Sequence, residues 1–442
     1  MSPVPAPRLL WCVAALIPLA VVAGPLALAG ILVLLGAMLA ALAALDLLLT
    51  LRTARHPKVE TTAISRLTKD RATDLALLVV GAQDGPRALR LALALPEPFV
   101  SEQPDLRLAL PAEGGRVPVK WRCTARRRGR FAAVQACLES ESRWGLWTLR
   151  SRQPLATELR VYPNLFTERK QLAALFLNRG AAGVQLRRMV GRGRDFERLR
   201  EYQPGDSFDE MHWKGTAKRG RPITKVFQVE RTQEIYVIID ASRLSARPVT
   251  QDGRTVTTLE RHITAALVLL LAAGRQGDRF GLVTHDSRLR SFLRARSGAL
   301  HYGACREAVH ALEPGEDSPD FGDLFAQLRS RLSRRALLVF LTDLGDPVLA
   351  EDFVRNVRVL SRQHLVLVNQ VRTPGVEPLF GREVADEDEI HARLAGHFQW
   401  RDAHDVADRL RPLGVTAAMP TSEGLATEVV GQYLQVKGRQ LL

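Results

Sequence analysis

From Leu9 to Leu45 the chain carries no charged residue, an unbroken run of 37 positions. One membrane-spanning helix needs about 20 apolar residues. The run is interrupted at Gly24-Pro25, with Gly30 following, so the pattern predicts two apolar helices joined by a tight turn, a transmembrane helical hairpin within residues 1–58. The competing reading is a cleaved secretory signal. Its apolar core spans only about 7 to 15 residues, whereas this run stays apolar to Leu45. Arg8 precedes the run, and Arg52, Arg55 and Lys58 follow it after Asp46. Basic residues favour the cytoplasmic side, so both ends, and the domains after them, are expected there. The later apolar run Ile263–Ala273 is too short to span and reads as a buried helix.

With 442 residues, 46% of them hydrophobic, the chain is long enough for two or three domains with cores of their own. The net charge is +15, and only 8 of the 62 basic residues are Lys. Nucleic acid is not expected as a partner, because no zinc-ligand set, recognition helix or basic-aromatic platform accompanies the charge. An anionic membrane surface accounts for it more simply. A lipid-surface or nucleic-acid binder stays open as an alternative, and steep salt dependence would mark it. Cys12, Cys123, Cys137 and Cys305 lie far apart with no C-x-x-C spacing, so neither a zinc site nor a disulfide framework is indicated. Cys123 and Cys137 would pair across a hairpin only in an oxidising compartment.

Residues 59–165 read as short alternating runs (LALLVV, RALRLALALP, RVPVKWRC, RFAAVQACLES, ELRVYP) separated by turn chemistry at Gln83-Asp84-Gly85-Pro86 and Glu113-Gly114-Gly115. A small β-sandwich is expected. The run Arg126-Arg127-Arg128-Gly129-Arg130 reads as a solvated or headgroup-facing turn between strands.

Residues 166–233 form a connector. After the turn former Pro204-Gly205-Asp206, Ser207 and Glu210 make an S-x-x-E capping box, which predicts a helix over 208–219. Lys218 and Arg219 suit its last turn, Gly220 the left-handed position after it, and Pro222 prevents continuation. Phe208, Met211 and Gly215 share one face, with Trp213 and Ala217 on another, so the helix is expected to be wedged between domains with Trp213 in a core. The functional alternative makes Arg194, Arg198, Arg200, Asp206, His212, Trp213 and Lys214 a surface for an acidic partner. Gly191-Arg192-Gly193-Arg194 is no phosphate loop, since it lacks the third glycine and any Gly-Lys-Ser/Thr.

From residue 234 to 442, apolar strands alternate with helical stretches, which predicts a doubly wound parallel sheet covered on both faces. Such sheets hold ligands at the carboxyl ends of their strands, beside the switch in strand order. Two strands end in acids here: Asp240, followed by Ser242, and Asp343. Together they offer oxygen ligands suited to Mg²⁺, or they cap the helices that follow. An enzyme is not expected. His285-Asp286-Ser287 and His212 are the only hydrolase candidates, and neighbours in sequence rarely form a working triad.

The block LREYQPGD…MHWKGTAKRGRPITKVFQVE…YVIIDAS resembles the signature of the domain-of-unknown-function 58 family, and the last 200 or so residues resemble a von Willebrand factor A domain. The paired N-terminal helices and the RRRGRF…ESRWGLWTLR…LRVYP segment extend the resemblance over nearly the whole chain. It implies a bacterial inner-membrane protein found alongside MoxR-type AAA+ ATPases, acting as a tethered adaptor in chaperone-like complex assembly. It also implies a metal-ion-dependent adhesion site. Its D-x-S-x-S segment falls on Asp240, Ser242 and Leu244, its threonine turn on Phe321–Leu324 with Gly322 in the hydroxyl position, and its last acid on Asp343. Leu244 and Gly322 depart from that pattern, and Ser245, Asp317, Ser318 and Thr342 are the possible substitutes.

Overall fold

The computed structural model describes the chain except residues 1, 24–28, 54–56, 82–87, 112–114, 133, 182–189, 205–207, 229–232, 252, 380–386 and 440–442. It divides into two compact units, Met1–Asn164 and Leu165–Leu442.

The first unit runs β1 (Ser2–Pro5), α1 (Pro7–Ala23), α2 (Ala29–Thr53), β2 (Lys58–Thr61), β3 (Ile64–Thr68), β4 (Ala72–Gly81), β5 (Ala88–Ala94) and β6 (Phe99–Ser101). It continues with β7 (Leu106–Ala109), β8 (Gly115–Ala125), β9 (Gly129–Phe131), β10 (Val134–Glu141), β11 (Trp147–Leu155) and β12 (Glu158–Tyr162). The strands form sheets β1-β11-β10-β5-β7, β2-β4-β8-β6 and β3-β12-β9. Alternating inward residues of all three sheets share one core around the fully buried Trp121, including Leu77, Leu91, Leu138 and Val161. The strands alternate because successive side chains point to opposite faces.

Within α2, residues Gly30–Arg52 contain an 18-residue window with a mean hydropathy of 2.6, of which only 11% is buried. By length and composition this helix is long and apolar enough to cross a membrane. Both ends of the helical pair meet one turn of the β structure. At the start of α1, β1 pairs with β11 and the Ala6 N–H donates to Leu146 O. At the end of α2, Trp147 Nε1 donates to Ala43 O at 2.8 Å, and buried Asp46 accepts from Ser142 Oγ and the Trp144 N–H. The turn expected at Gly24-Pro25 lies outside the described residues.

The second unit runs α3 (Phe166–Ala181), β13 (Val190–Glu201), α4 (Trp213–Arg219), β14 (Ile223–Gln228), β15 (Glu234–Asp240), β16 (Pro248–Gln251), β17 (Arg254–Thr257) and α5 (Thr258–Arg275). Then come β18 (Arg279–His285), β19 (Leu289–Arg296), α6 (Ala299–His310), α7 (Phe321–Arg331), β20 (Leu337–Leu341) and α8 (Pro347–Leu360). It ends with β21 (Leu365–Asn369), α9 (Glu387–Leu410), β22 (Val415–Ala418) and α10 (Leu425–Gly438). The main sheet has the order β19-β18-β15-β20-β21-β22, parallel except for the edge strand β19. Strand order therefore reverses at β15, between β18 and β20. One face packs on α5, α6 and α10, the other on α7, α8 and the end of α9. Burial on both faces explains why EIYVIID and LLVFL are almost wholly apolar.

Several expectations need correction. Residues 166–233 fall within the second compact unit, where Leu172 of α3 enters the core and Glu168 pairs with Arg261 of α5. Likewise residues 1–58 and the β-rich segment make one compact unit. The helix expected over 208–219 begins only at Trp213, after a separate 3-10 turn Phe208–Glu210. His212 provides the cap of this helix: its Nδ1 accepts from the Gly215 N–H at 2.9 Å. Ser207 lies outside the described residues, whereas the helix does end at Arg219 with Gly220 at φ 65°. Trp213 is in no core, being 56% exposed beside Phe208, itself 68% exposed. Nor is the arginine run wholly solvated: Arg128 is buried, and β9, starting at Gly129, pairs with β12.

Candidate functional site

The strand-order switch brings together the ends of β15, β20 and β21. Asp240 closes β15, where its Oδ1 accepts the Ser242 N–H (2.8 Å) and its Oδ2 the Thr342 hydroxyl (2.7 Å). Ser242 is buried, and its Oγ accepts from the Leu244 N–H. Two residues beyond β20, Asp343 Oδ1 accepts from the Gly345 N–H and from Gln370 Nε2, each at 2.8 Å. Its Oδ2 lies 2.7 Å from Arg247 Nη1, which also donates to Thr373 Oγ1 at 3.2 Å. One guanidinium thus links the loops following β15, β20 and β21.

The electrostatics follow from burial. Asp343 is raised above the ordinary carboxylate value by desolvation, against the opposing pull of Arg247. Behind Asp240, His262 on α5 is pushed down to about 4 by burial, which the negative charge of Asp240 only partly offsets. Among the described residues neither ring nitrogen of His262 has a hydrogen-bond partner. Burial also lowers His285 at the end of β18.

The donor set does not fit a divalent cation. All four carboxylate oxygens of Asp240 and Asp343 are engaged, and a cationic side chain already touches Asp343. The expected substitutes make hydrogen bonds of their own: Ser245 Oγ donates to Ser242 O, Ser318 Oγ accepts from Arg243, and Asp317 Oδ2 accepts from Ser287. Leu244 is half-buried in a 3-10 turn, and Gly322 sits in the first turn of α7. Among the described residues no group of three or more His, Cys, Asp or Glu is placed to hold a metal. In this structure Asp240, Ser242 and Asp343 serve as turn caps, with one ion pair to Arg247.

A cleft of about 400 Å³ opens beside this site, lined by Arg247, Gly345, Gln370, Arg372, Thr373 and Arg409. An adjoining cavity of about 290 Å³ reaches Trp400 and Met419. Arg247, Gln370 and Thr373 went unrecognised in the sequence, where nothing marks an arginine seven residues after a strand as the partner of an acid ninety-six residues away.

The other expected site residues are not gathered here. Arg194 and Arg198 lie on β13 with side chains outside the described set, and Asp206 is likewise outside it. Arg200 donates to Glu201 O, His212 is the cap of α4, and Trp213 and Lys214 are exposed on that helix. No triad forms from His285-Asp286-Ser287: Ser287 donates to Asp317, while His285 Nδ1 lies 3.4 Å from Asp286 O. Cys123 and Cys137 are both free.

Fold and site define a mixed α/β protein with an apolar N-terminal helix and a parallel-sheet unit that gathers acids at its strand ends. Residues 198–382 match the family described as "Protein of unknown function DUF58". Uncharacterized proteins of Mycobacterium tuberculosis (Rv1480) and Mycobacterium bovis (Mb1516) are each 26% identical over 198 residues, 43% of this chain. The chain spans 59% of the length of these relatives. Among solved structures, the conserved hypothetical protein BatB from Bacteroides thetaiotaomicron covers 47% of this chain and 99% of its own, at 13% identity and TM-score 0.32. The SpRpn10 VWA domain covers 46% and 95%, at 14% identity and TM-score 0.27. With scores this low, the architecture rests on the chain's own strand order.

Proposed function

We propose that this chain is a membrane-anchored adaptor whose doubly wound, von Willebrand factor A-like unit docks a protein partner at its strand ends. The observation that carries the reading is the combination of an exposed apolar helix, bonded through Asp46 to the β unit, with an open arginine-rimmed cleft at a strand-order switch. In this reading α1 and α2 form a hairpin across the bacterial inner membrane. Arg8, Arg52, Arg55 and Lys58 hold both ends in the cytoplasm, where the soluble units work. The partner is a MoxR-type AAA+ ATPase, as the family resemblance implies, and the task is complex assembly or maturation.

A second contact belongs to the connector. Phe208 and Trp213 pack edge to face at 5.2 Å and stay exposed beside Lys214, the kind of aromatic surface that anchors interfaces. Arg194, Arg198, Arg200, Asp206 and His212 belong to the same segment.

The test is calorimetric titration of the full chain, in nanodiscs, with a MoxR-type ATPase from the same cell. Saturable binding is expected, weakened by Trp213→Ala or by Arg372→Glu with Arg409→Glu. Absence of binding in every nucleotide state would sink the reading.

A further inference from the structure

We infer that Arg247 is the resident cation of the strand-end site, a tethered guanidinium in the place of a divalent metal, and that the site therefore works without one. The inference rests on reading this crevice as the working end of the second unit.

Two buried carboxylates at adjacent strand ends repel each other, and such a pair needs a positive charge close by. Arg247 supplies that charge at 2.7 Å from Asp343 Oδ2. It is held for the purpose. Its N–H donates to Leu244 O, and its carbonyl accepts from both the N–H and the hydroxyl of Thr258, the first residue of α5. Thr373 Oγ1 takes a second hydrogen bond from Nη1 on the far side. A guanidinium keeps its charge at every physiological pH and directs donors at two oxygens at once. A divalent ion would instead need several open oxygens, and Leu244 and Gly322 stand at the positions where the resemblance to a von Willebrand factor A domain implies hydroxyl ligands. Where those hydroxyls would stand the chain has Leu244 and Gly322, and the charge beside Asp343 comes from Arg247 instead. Because Arg247 also lines the cleft, an anionic group of a partner meets a guanidinium there rather than an open coordination position.

The test uses the full chain in detergent micelles, with Mn²⁺ alone as probe, read by the EPR signal of the free ion. The unmodified chain is expected to leave that signal unchanged and to unfold at the same temperature with or without chelator. Arg247→Met removes the charge, keeps much of the side-chain length, and should raise Mn²⁺ affinity about tenfold or more. That gain should vanish in Arg247→Met/Asp343→Asn and be absent in Arg372→Met, which changes the same cleft at a residue with no ion pair to Asp240 or Asp343 among the described residues. Mn²⁺ binding by the unmodified chain overturns the inference, even if the variants fail to fold. So does Arg247→Met that folds and binds no more Mn²⁺ than the unmodified chain. Neither measurement involves a partner, so failure here leaves the docking reading to its own experiment.

Discussion

Asp46, fully buried near the end of α2, accepts a hydrogen bond from the hydroxyl of Ser142 at 2.5 Å, across 96 residues of sequence. Its other oxygen takes the Trp144 N–H, while Thr50 Oγ1 donates to the Asp46 carbonyl and accepts from the Arg143 N–H. This acid ends the charge-free run and ties the apolar helices to the β unit.

Replacing Asp46 with Ala should cost about 3 kcal/mol, since charged hydrogen bonds are lost and their donors are left buried. Asp46→Asn, which keeps one acceptor, should cost less. Thermal unfolding of the full chain in detergent checks the order, and an unchanged midpoint for Asp46→Ala would contradict the clamp.

Glu168 and Arg261 form a buried pair between α3 and α5, at 3.3 Å, and Arg261 Nε also donates to Ser422 O. Removing Glu168 alone strands a buried charge and should cost about 3–5 kcal/mol. Glu168→Leu with Arg261→Met should recover most of that loss in a denaturant titration. A double variant as unstable as the single one would mean that the two charges do not act as a pair.

Gly396 on α9 faces the loop after β21 so closely that an added Cβ would lie 2.0 Å from Gly375 O, and Gly375 itself has φ 83°. Gly396→Ala must push α9 off that loop, at about 1–3 kcal/mol. Since α9 walls the strand-end cleft through Asp402 and Arg409, partner affinity should fall as well. A variant with unchanged unfolding midpoint and affinity would show that this contact does not set the cleft.

Stability of the second unit should fall with acid. His262 takes up its proton near pH 4 when folded but near pH 6.5 when unfolded, so the unfolded chain binds more protons between those values. The stability held above about pH 6.5 is therefore lost as pH drops toward 4, with His285 adding in the same direction. The charges acting on His262 are Asp240 and Arg261, and the raised Asp343 contributes in the opposite sense. His262→Asn, compared with the unmodified chain across this range, should flatten the slope. Parallel curves would remove His262 as the cause.

The alternation of apolar strands with long helices was readable from composition alone, because a strand covered on both faces admits almost only Val, Ile, Leu and Phe. So was the apolar pair at the N-terminus, where 37 uncharged residues leave few other solutions. Gly220 announced the end of α4 for a local reason: only a residue without a Cβ takes φ 65° at little cost. The start of that helix was misread because an S-x-x-E pattern is equally compatible with a 3-10 turn, and His212 caps only once its ring has folded back onto Gly215.

What the sequence by itself determined, then, is local: which segments bury two faces, which are long and apolar enough to cross a membrane, and where acids end strands. The meaning of those acids was decided by tertiary structure. Asp240 and Asp343 look like metal ligands as long as their neighbours are counted along the chain. Folding instead sets Thr342, Gln370 and Arg247 against them. A carboxylate's role depends on which donors and charges stand within a few ångströms, and those come from loops of three different strands.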